Sequence, residues 1–474
     1  MHSKIATTVT VFALAGAATV TAFVLAQTRT SQDKAVDEMA ISMCGLSGPP
    51  KATAKLLHGT FSGALSSSSV LKGNGELAAQ LQITTDEVGG PRPALDLAFV
   101  IDHSGSMAGR IEHAANAASA IVDRLGPQDH ASLIQYDDTA DVMVSSIAMD
   151  AAGKAKMHAA IERLAPAGGT NLEGGLVAGR VEVERAHHDG DVNRVILLSD
   201  GRANVGITDP KAIADTARDA ANHGVRITAM GIGVDFNEDL MEAIAEAGRG
   251  NYEYVKDAGD LEKAVAGELA SFQSTVATNV ELRLRPECSG AQIVSVHGYD
   301  SQRDHDTVVV PMIDLFGGDA RKLLVSLQVP TGHVGVAGAL HAELSYRDAR
   351  TGERKTHAID LGTQVTEDPR VAAAGVDQDV MAQVLQLQAA ESLRQAARAY
   401  DAGDRDQAVQ ILERSSQEIS KKGAMYKIAP AKTAKPMADL DDMTKSAKAY
   451  APGTYEGKNM VKAGKQKARV MSKK

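Results

Sequence analysis

The sequence contains very few aromatic residues: they make up 3% of the 474 positions, and tryptophan is absent. Because large rings are scarce, we expect hydrophobic cores built from alanine, valine, leucine and isoleucine. A surplus of basic residues is also lacking, since the net charge is -10 at pH 7. This acidic balance argues against a protein that binds nucleic acid over its whole surface. The length suits two or three domains.

The N-terminal segment carries no charged side chain over residues 5–26. It can act as a signal peptide, since Val24-Leu25-Ala26 offers residues that suit a signal peptidase. It is also about as long as a membrane-spanning helix, which needs roughly 20 residues. We therefore interpret residues 1–26 as a signal peptide or a membrane anchor. Both alternatives predict an exported protein that is periplasmic, at the cell surface or anchored to the membrane through residues 5–26.

One stretch combines a buried strand with a cluster of oxygen-bearing side chains. An apolar run over residues 95–101 ends abruptly in Asp102, Ser104 and Ser106, and helical spacing of apolar residues follows over 111–125. This order predicts a parallel strand, a tight turn and a helix. In open α/β sheets, ligands bind beyond the carboxyl ends of the strands. One carboxylate and two hydroxyls at that place suit a hard cation that prefers oxygen ligands.

The Asp-x-Ser-x-Ser pattern after a buried strand resembles the first loop of a von Willebrand factor type A domain. Two further loops of that family's metal-ion-dependent adhesion site follow in order. Gly168-Gly169-Thr170-Asn171 matches the second loop, whose threonine is a metal ligand, and Leu198-Ser199-Asp200-Gly201 matches the third, whose aspartate completes the site. The resemblance covers roughly residues 94–275. It implies that Asp102, Ser104, Ser106, Thr170 and Asp200 bind a divalent metal ion.

This resemblance also implies the ion and the kind of partner. Mg²⁺ prefers octahedral oxygen sites and usually keeps several waters, so such a sparse site suits it, with Mn²⁺ or Ca²⁺ as alternatives. The hydroxyls are expected to bind the metal directly, and the carboxylates partly through water. An exchangeable position then stays electrophilic and can accept an Asp or Glu carboxylate from a protein ligand.

Other residues near these loops invite catalytic interpretations. His103, His113, His187 and His188 have no matching cluster of cysteine or glutamate, so we expect solvated histidines at helix ends rather than a zinc site. The glycine-rich stretch 168–175 lacks the lysine of a phosphate-binding loop. A metal-dependent hydrolase remains an alternative, although no general base or nucleophile is identifiable beside the metal loops. A third alternative is a structural module whose metal ion only stabilises the loops.

The remaining patterns predict the domain organisation. Strands alternate with helices over residues 94–275, which favours a Rossmann-like, mostly parallel sheet. Short alternating segments over 279–365 indicate a β-sandwich, and a strand within 72–90 is expected to join it, so that the type A domain is an insertion. Residues 27–71 are interpreted as a linker. The predicted fold class is therefore α/β, with a β-sandwich and C-terminal helices.

The C-terminal part divides into two segments by composition. Helical spacing over residues 377–421, interrupted by Gly403, predicts a helical hairpin. Residues 422–474 are interpreted as rich in lysine and without periodic apolar positions, which predicts a disordered tail. The sequence contains two cysteines, Cys44 and Cys288. Since a disulfide is permitted in an exported protein, we predict that they pair and tie the linker to the sandwich.

The whole organisation resembles bacterial extracytoplasmic proteins with type A domains. The sequence thus predicts a non-enzymatic, exported protein that binds another protein through a divalent metal ion.

Overall fold

The structure is a computed structural model that describes residues 7–10, 21–24 and 48–473, except 90–91, 187–190, 201, 233–235 and 256–257. Strands β1 (Thr7–Thr10) and β2 (Thr21–Val24) pair antiparallel. The rest of the predicted signal peptide or anchor, residues 1–26, lies outside the described residues. Of the helices that the structure describes, none combines the length and the apolar character needed to cross a membrane.

The segment predicted as a linker over residues 27–71 proves to be folded in its second half. Residues 51–71 form three strands, and a fourth follows: β3 (Lys51–Leu56), β4 (Gly59–Leu65), β5 (Ser69–Leu71) and β6 (Glu76–Thr85). The linker prediction is therefore wrong for these residues. In β4 the inward positions are held by Gly59, Phe61, Gly63 and Leu65. Because two of them are glycines, the alternation is hidden from a search for apolar side chains.

The next elements build a three-layer α/β domain, which spans residues 95–273. Its helices and strands are β7 (Leu95–Asp102), α1 (Ile111–Arg124), β8 (His130–Tyr136), β9 (Ala140–Ala148), α2 (Ala151–Ile161), α3 (Leu172–Ala186), β10 (Val192–Ser199), α4 (Pro210–Asn222), β11 (Arg226–Ile232), α5 (Glu238–Ala247), β12 (Tyr252–Val255) and α6 (Ala258–Gln273). The sheet order is β12-β11-β10-β7-β8-β9, and only the β8–β9 pair is antiparallel. The predicted mostly parallel sheet is confirmed.

Strand β7 lies inside this sheet, and all eight of its residues are buried. Helix α3 packs closely on it, because a Cβ added at Gly179 would lie 2.4 Å from Val100 Cγ2 and one added at Gly175 would lie 2.7 Å from the Tyr136 ring. Glycine at these two positions lets the helix approach the sheet. The loop that leads into α3 is thereby held beside the carboxyl end of β7.

A β-sandwich surrounds the insertion point of the α/β domain. Its later strands are β13 (Thr275–Pro286), β14 (Gln292–His297), β15 (Gln302–Asp304), β16 (Thr307–Pro311), β17 (Leu315–Phe316), β18 (Ala320–Gln328), β19 (Gly335–Asp348) and β20 (Arg354–Thr366). One sheet has the order β15-β16-β13-β19-β20-β5, with β17 beside β13, and the other has the order β14-β18-β6-β4-β3. Since β6 and β13 both belong to the sandwich, the α/β domain is inserted between them.

Helices complete the chain: α7 (Pro369–Ala374), α8 (Gln378–Asp401), α9 (Arg405–Met425), α10 (Pro430–Ala449) and α11 (Tyr455–Lys473). The predicted hairpin over 377–421 corresponds to α8 and α9. The prediction of a disordered tail over 422–474 is wrong, because α10 and α11 pack into the same helical core. Leu440, Met443 and Val461 are among their buried side chains.

Two groups of contacts fix the α/β domain to its neighbours. Arg194 and Arg226 both donate to the buried carboxylate of Asp314 in the sandwich, at 2.5 Å and 3.4 Å. On the other side, Lys462 of α11 lies 3.6 Å from the centroid of the Phe236 ring and Lys465 donates to Asp239 at 2.8 Å. The domain is therefore held from both the sandwich and the C-terminal helices.

Candidate metal centre

The Asp102 carboxylate ends strand β7 and is fully buried. Its Oδ1 accepts from the Ser104 backbone N–H at 2.9 Å, and its Oδ2 accepts from the Ser199 hydroxyl at 2.7 Å. Burial raises the pKa of this carboxyl, while the hydrogen bonds from Ser104 and Ser199 oppose the shift. Both carboxylate oxygens are therefore held in fixed positions at the end of the strand.

The two serines of the first loop link Asp102 to the third loop. Ser104 Oγ and Ser106 Oγ lie 3.0 Å apart, and Ser106 Oγ donates to Asp200 Oδ1 at 2.7 Å. Ser104 and Asp200 are buried, whereas Ser106 is exposed. The structure thus brings together four of the five predicted ligands, Asp102, Ser104, Ser106 and Asp200, with solvent reaching the group from the side of Ser106.

The second loop is tied to both of the others through backbone groups. Gly105 N donates to Gly168 O at 3.2 Å, which joins it to the first loop. Thr170 N donates to Asn204 Oδ1 at 2.7 Å, and Asn204 N donates to Thr170 O at 3.1 Å, which joins it to the segment after Asp200. Thr170 itself is buried at 3% exposure. The backbone hydrogen bonds to Asn204 therefore hold Thr170 in position next to the segment that follows Asp200.

Gly168 shapes this second loop. Its φ of +62° lies in the left-handed region, and a Cβ there would lie 2.7 Å from Asp137 Oδ2. Glycine alone adopts this conformation at no steric cost and leaves the aspartate in place. Gly168 therefore has a steric role in this loop.

Arg110 was not among the predicted site residues, yet it contacts the site directly. Its Nη1 donates to Oδ2 of Asp200, and its side chain is 34% exposed. A guanidinium is a permanent positive charge. Arg110 therefore neutralises one of the two carboxylates that would face a metal ion. It directly precedes α1, four residues after Ser106, and no regular spacing in the sequence identifies it.

Three further residues support the loops and were also missed as supports. Ser199 holds Asp102, and Asn204 holds Thr170, as described above. His103 was predicted to be solvated, and this is wrong: it is 5% exposed, and its Nδ1 donates to the Ala165 carbonyl at 2.9 Å. The imidazole therefore positions the second loop. Ser199 is the last residue of β10 and immediately precedes Asp200. This position at the carboxyl end of a strand is the signal in the sequence that could have indicated its contact with Asp102.

The predicted ligands fit a hard divalent cation by their chemistry. They offer two carboxylates and three hydroxyls, all oxygen donors of the kind that Mg²⁺ and Ca²⁺ prefer. The buried carboxylate of Asp102 favours a cation, because burial makes its charged form costly. The arrangement of Asp102, Ser104, Ser106 and Asp200 meets these requirements.

Comparison with known proteins identifies the family of the α/β domain. The family model of the von Willebrand factor type A domain matches residues 96–267. The chain contains a von Willebrand factor type A domain. Domains of this family commonly take part in protein interaction and adhesion.

Related proteins match this chain over different shares of its length. The uncharacterized protein YfbK of Escherichia coli (strain K12) is 32% identical over 195 residues, which cover 40% of this chain and 34% of YfbK. The chain thus spans about a third of that relative. The uncharacterized protein sll0103 of Synechocystis sp. is 26% identical over 68% of this chain and 78% of its own length. Inter alpha-trypsin inhibitor, heavy chain 4, of Mus musculus is 30% identical over 33% of this chain and 17% of its own.

Two solved structures share the fold over most of the chain. A von Willebrand factor type A protein from Catenulispora acidiphila superimposes with a TM-score of 0.66 at 19% identity, covering 85% of this chain and 90% of that one. The ArnB paralog VWA2 from Sulfolobus acidocaldarius gives 0.56 at 14% identity, covering 88% and 99%. At these identities the likeness shows the fold alone. Since the coverage far exceeds the type A domain, the shared fold extends to the surrounding elements.

The remaining predicted residues fall in different places. His113 is exposed, and His187 and His188 lie outside the described residues. Cys288 is buried and is not a free thiol. Cys44 lies outside the described residues, so its pairing with Cys288 stays a prediction.

Proposed function

We propose that this protein binds a protein partner through a divalent metal ion held by Asp102, Ser104, Ser106, Thr170 and Asp200 of its type A domain. The observation that carries the proposal is the continuous contact from Ser104 through Ser106 to Asp200, beside the buried carboxylate of Asp102. Mg²⁺ fits this all-oxygen donor set best, with Mn²⁺ or Ca²⁺ as alternatives.

Each residue has a distinct part in holding the ion. Asp102 is oriented by the Ser104 N–H and the Ser199 hydroxyl, and Asp200 is oriented by Ser106. When bound, the ion would supply an electrophilic position for a carboxylate. Because Ser106 is exposed, an Asp or Glu side chain of a partner can approach from that side. His103 is hydrogen-bonded to the loop backbone, which supports binding rather than catalysis as the purpose of the site.

We also propose that the protein is exported and is not an enzyme. The uncharged stretch over residues 5–26 supports export as a signal peptide or as a membrane anchor. The site would then face the periplasm or the cell exterior. The relatives named above include an inter alpha-trypsin inhibitor heavy chain, which supports a role in interaction.

The first experiment measures metal binding by titration calorimetry with Mg²⁺ and Mn²⁺ on the purified protein. We expect one weak site in the wild type and none in Asp102→Ala or Asp200→Ala. The fold should survive, because these residues lie on loops at the end of the sheet. The matched control is Asp141→Ala, an exposed carboxylate on β9 of the same domain. Equal binding by Asp200→Ala and Asp141→Ala would refute the ligand assignment.

The second experiment addresses the partner. Proteins captured on the immobilised wild-type chain in Mg²⁺ are compared with those captured in EDTA and on Thr170→Ala. Loss of a desolvated charged contact at an interface costs on the order of 2–5 kcal/mol, so both treatments should release the same partner. EDTA should have no added effect on the Thr170→Ala chain, because both remove one contact. A partner that survives both treatments would show that the metal face is not the binding surface.

A further inference from the structure

A second group of metal-binding side chains lies on the β-sandwich, far in the sequence from the type A loops. Glu287, His341 and Asp360 each offer one ligand atom, and these atoms all lie within 4.8 Å of one another. All three residues are half-buried. The group combines one imidazole with two carboxylates, so it differs in donor type from the all-oxygen site of the type A domain.

The sheet register explains why these residues meet. His341 of β19 is paired with Asp360 of β20, and the neighbouring residues Leu340 and Leu361 point into the core. The two polar side chains therefore share the outer face of the seven-stranded sheet. His341 Nδ1 lies 2.5 Å from Asp360 Oδ1. Glu287 follows Pro286, the last residue of β13, which is the strand on the other side of β19.

A glycine makes room for the glutamate. A Cβ added at Gly338 would lie 2.6 Å from Glu287 Cγ and 3.0 Å from its Cβ. The stem of Glu287 thus lies over Gly338, beside the register shift that β19 makes between Gly338 and Leu340. Any side chain at position 338 would push the glutamate away. The absence of a side chain there lets Glu287 reach the His341–Asp360 pair.

The backbone also covers Asp360 from the N-terminal side of the chain. A Cβ at Gly48 would lie 2.0 Å from the Asp360 carbonyl oxygen and 2.9 Å from its Cβ, and Gly362 N donates to Pro49 O at 3.1 Å. Residues 48 and 49 therefore lie directly against β20 at this point. The aspartate is held between this segment and the histidine.

Charge at this place favours a cation. The ligand atoms of the Glu287 and Asp360 carboxylates lie within 4.8 Å of each other. Arg285 is exposed and is paired with His341 across β13 and β19. Two carboxylates therefore lie close together beside one neighbouring guanidinium. A divalent ion would relieve their repulsion.

We propose that Glu287, His341 and Asp360 bind a divalent transition-metal ion of the Zn²⁺ type, with water in the remaining positions. Zn²⁺ takes histidine nitrogen and carboxylate oxygen at about 2.0–2.2 Å, which sets ligand atoms roughly 3.3 Å apart in a tetrahedral site. On binding, His341 Nδ1 and Asp360 Oδ1 would separate from 2.5 Å to this distance. Glu287, which follows the last residue of β13, would move towards them. The site is independent of the type A domain, whose oxygen donors prefer Mg²⁺.

The test is a calorimetric titration of the full chain with Zn²⁺ in excess Mg²⁺, supported by the visible absorption of bound Co²⁺. We expect one Zn²⁺ per chain in the wild type and in Asp102→Ala. Binding should be lost in His341→Ala and weakened by at least about tenfold in Glu287→Gln. Gly338→Ala should weaken it as well, although all three ligands remain. The Co²⁺ spectrum should change in the same variants.

The matched control is His305→Ala. His305 also pairs with an aspartate, since its Nδ1 lies 2.8 Å from Asp304 Oδ1, but both side chains are largely exposed. This variant should bind Zn²⁺ as the wild type does. Equal affinity in His341→Ala and His305→Ala, or no Zn²⁺ binding by the wild type, would overturn the proposal. If His341→Ala fails to fold, Glu287→Gln and Gly338→Ala decide the matter, and wild-type affinity in both would overturn it.

Discussion

Arg110 and a divalent ion compete for the same carboxylate. Arg110 donates to Oδ2 of Asp200, and Ser106 donates to Oδ1 of the same side chain. An ion held by Asp200 would have the guanidinium as a near neighbour of like charge. We therefore predict that Arg110→Ala binds Mg²⁺ more tightly than the wild type, although arginine is lost from the rim of the site.

The magnitude follows from the exposure of this pair. Two unit charges 4 Å apart interact by about 4 kcal/mol at an effective dielectric constant of 20, and by about 1 kcal/mol in water. Asp200 is fully buried, but the Arg110 side chain is 34% exposed, so solvent screens much of the repulsion. The lower part of the range applies, and we expect a gain of about 1–2 kcal/mol, or roughly 5- to 30-fold in affinity.

The assay is Mg²⁺ calorimetry, together with the thermal unfolding midpoint with and without Mg²⁺. Arg110→Ala should unfold at a lower temperature without metal, because Asp200 loses its cation, and should gain more from added Mg²⁺. Arg110→Lys keeps the charge and should stay near the wild type. Arg124→Ala, at the far end of the 14-residue helix α1, lies about 20 Å away and should change nothing. Weaker Mg²⁺ binding by Arg110→Ala would refute the reasoning and show that Arg110 supports the loops.

Two further predictions concern buried charges away from the metal site. Asp314→Ala leaves Arg194 and Arg226 buried without their shared carboxylate. We expect the free energy of unfolding, measured by urea titration, to fall by about 3–5 kcal/mol. A urea midpoint equal to that of the wild type would contradict this. Asp96 is fully buried, and burial together with nearby Asp191 raises its pKa from 3.8 to about 7. The folded protein therefore keeps a proton that the unfolded chain releases, so this stabilising contribution is present below pH 3.8 and is lost as the pH rises through 7. Asp96→Asn should accordingly become more stable relative to the wild type between pH 5 and pH 8 in thermal unfolding, and parallel pH curves for the two chains would contradict this.

The sequence predicted the α/β sheet well, because its strands carry local signals. β7 is buried along its whole length, so its apolar run is unbroken up to the polar turn at Asp102. The oxygen-bearing residues of this turn indicated the metal site. The supports of the site were less visible, since Asn204 acts on Thr170 from 34 positions away. A hydrogen bond between two loops leaves no periodic pattern in either of them.

The first half of the sandwich was hidden for a different reason. In β4 the inward positions include Gly59 and Gly63, so small residues stand where a strand usually shows apolar ones. At Gly63 a Cβ would lie 2.8 Å from Ile359 Cδ1 and 2.9 Å from Leu361 Cδ1 of the facing sheet. The partner strand β20 thus supplies the volume that β4 lacks. Such complementarity is visible only after both sheets are placed.

The lysine-rich C-terminal helix shows how charge can conceal a packed surface. Lys458, Lys462 and Lys465 of α11 follow helical spacing, which a sequence presents as one solvated face. In the structure, Lys462 is 6% exposed, with its ammonium over the Phe236 ring, and Lys465 contacts Asp239 and Asp401. Long lysine stems can pack against apolar surface while their ends meet carboxylates. Composition alone conceals this packing, because the carboxylates belong to distant parts of the chain. The signal that could have distinguished the helix from a disordered tail is the helical spacing of its buried residues Met460, Val461, Ala468 and Met471.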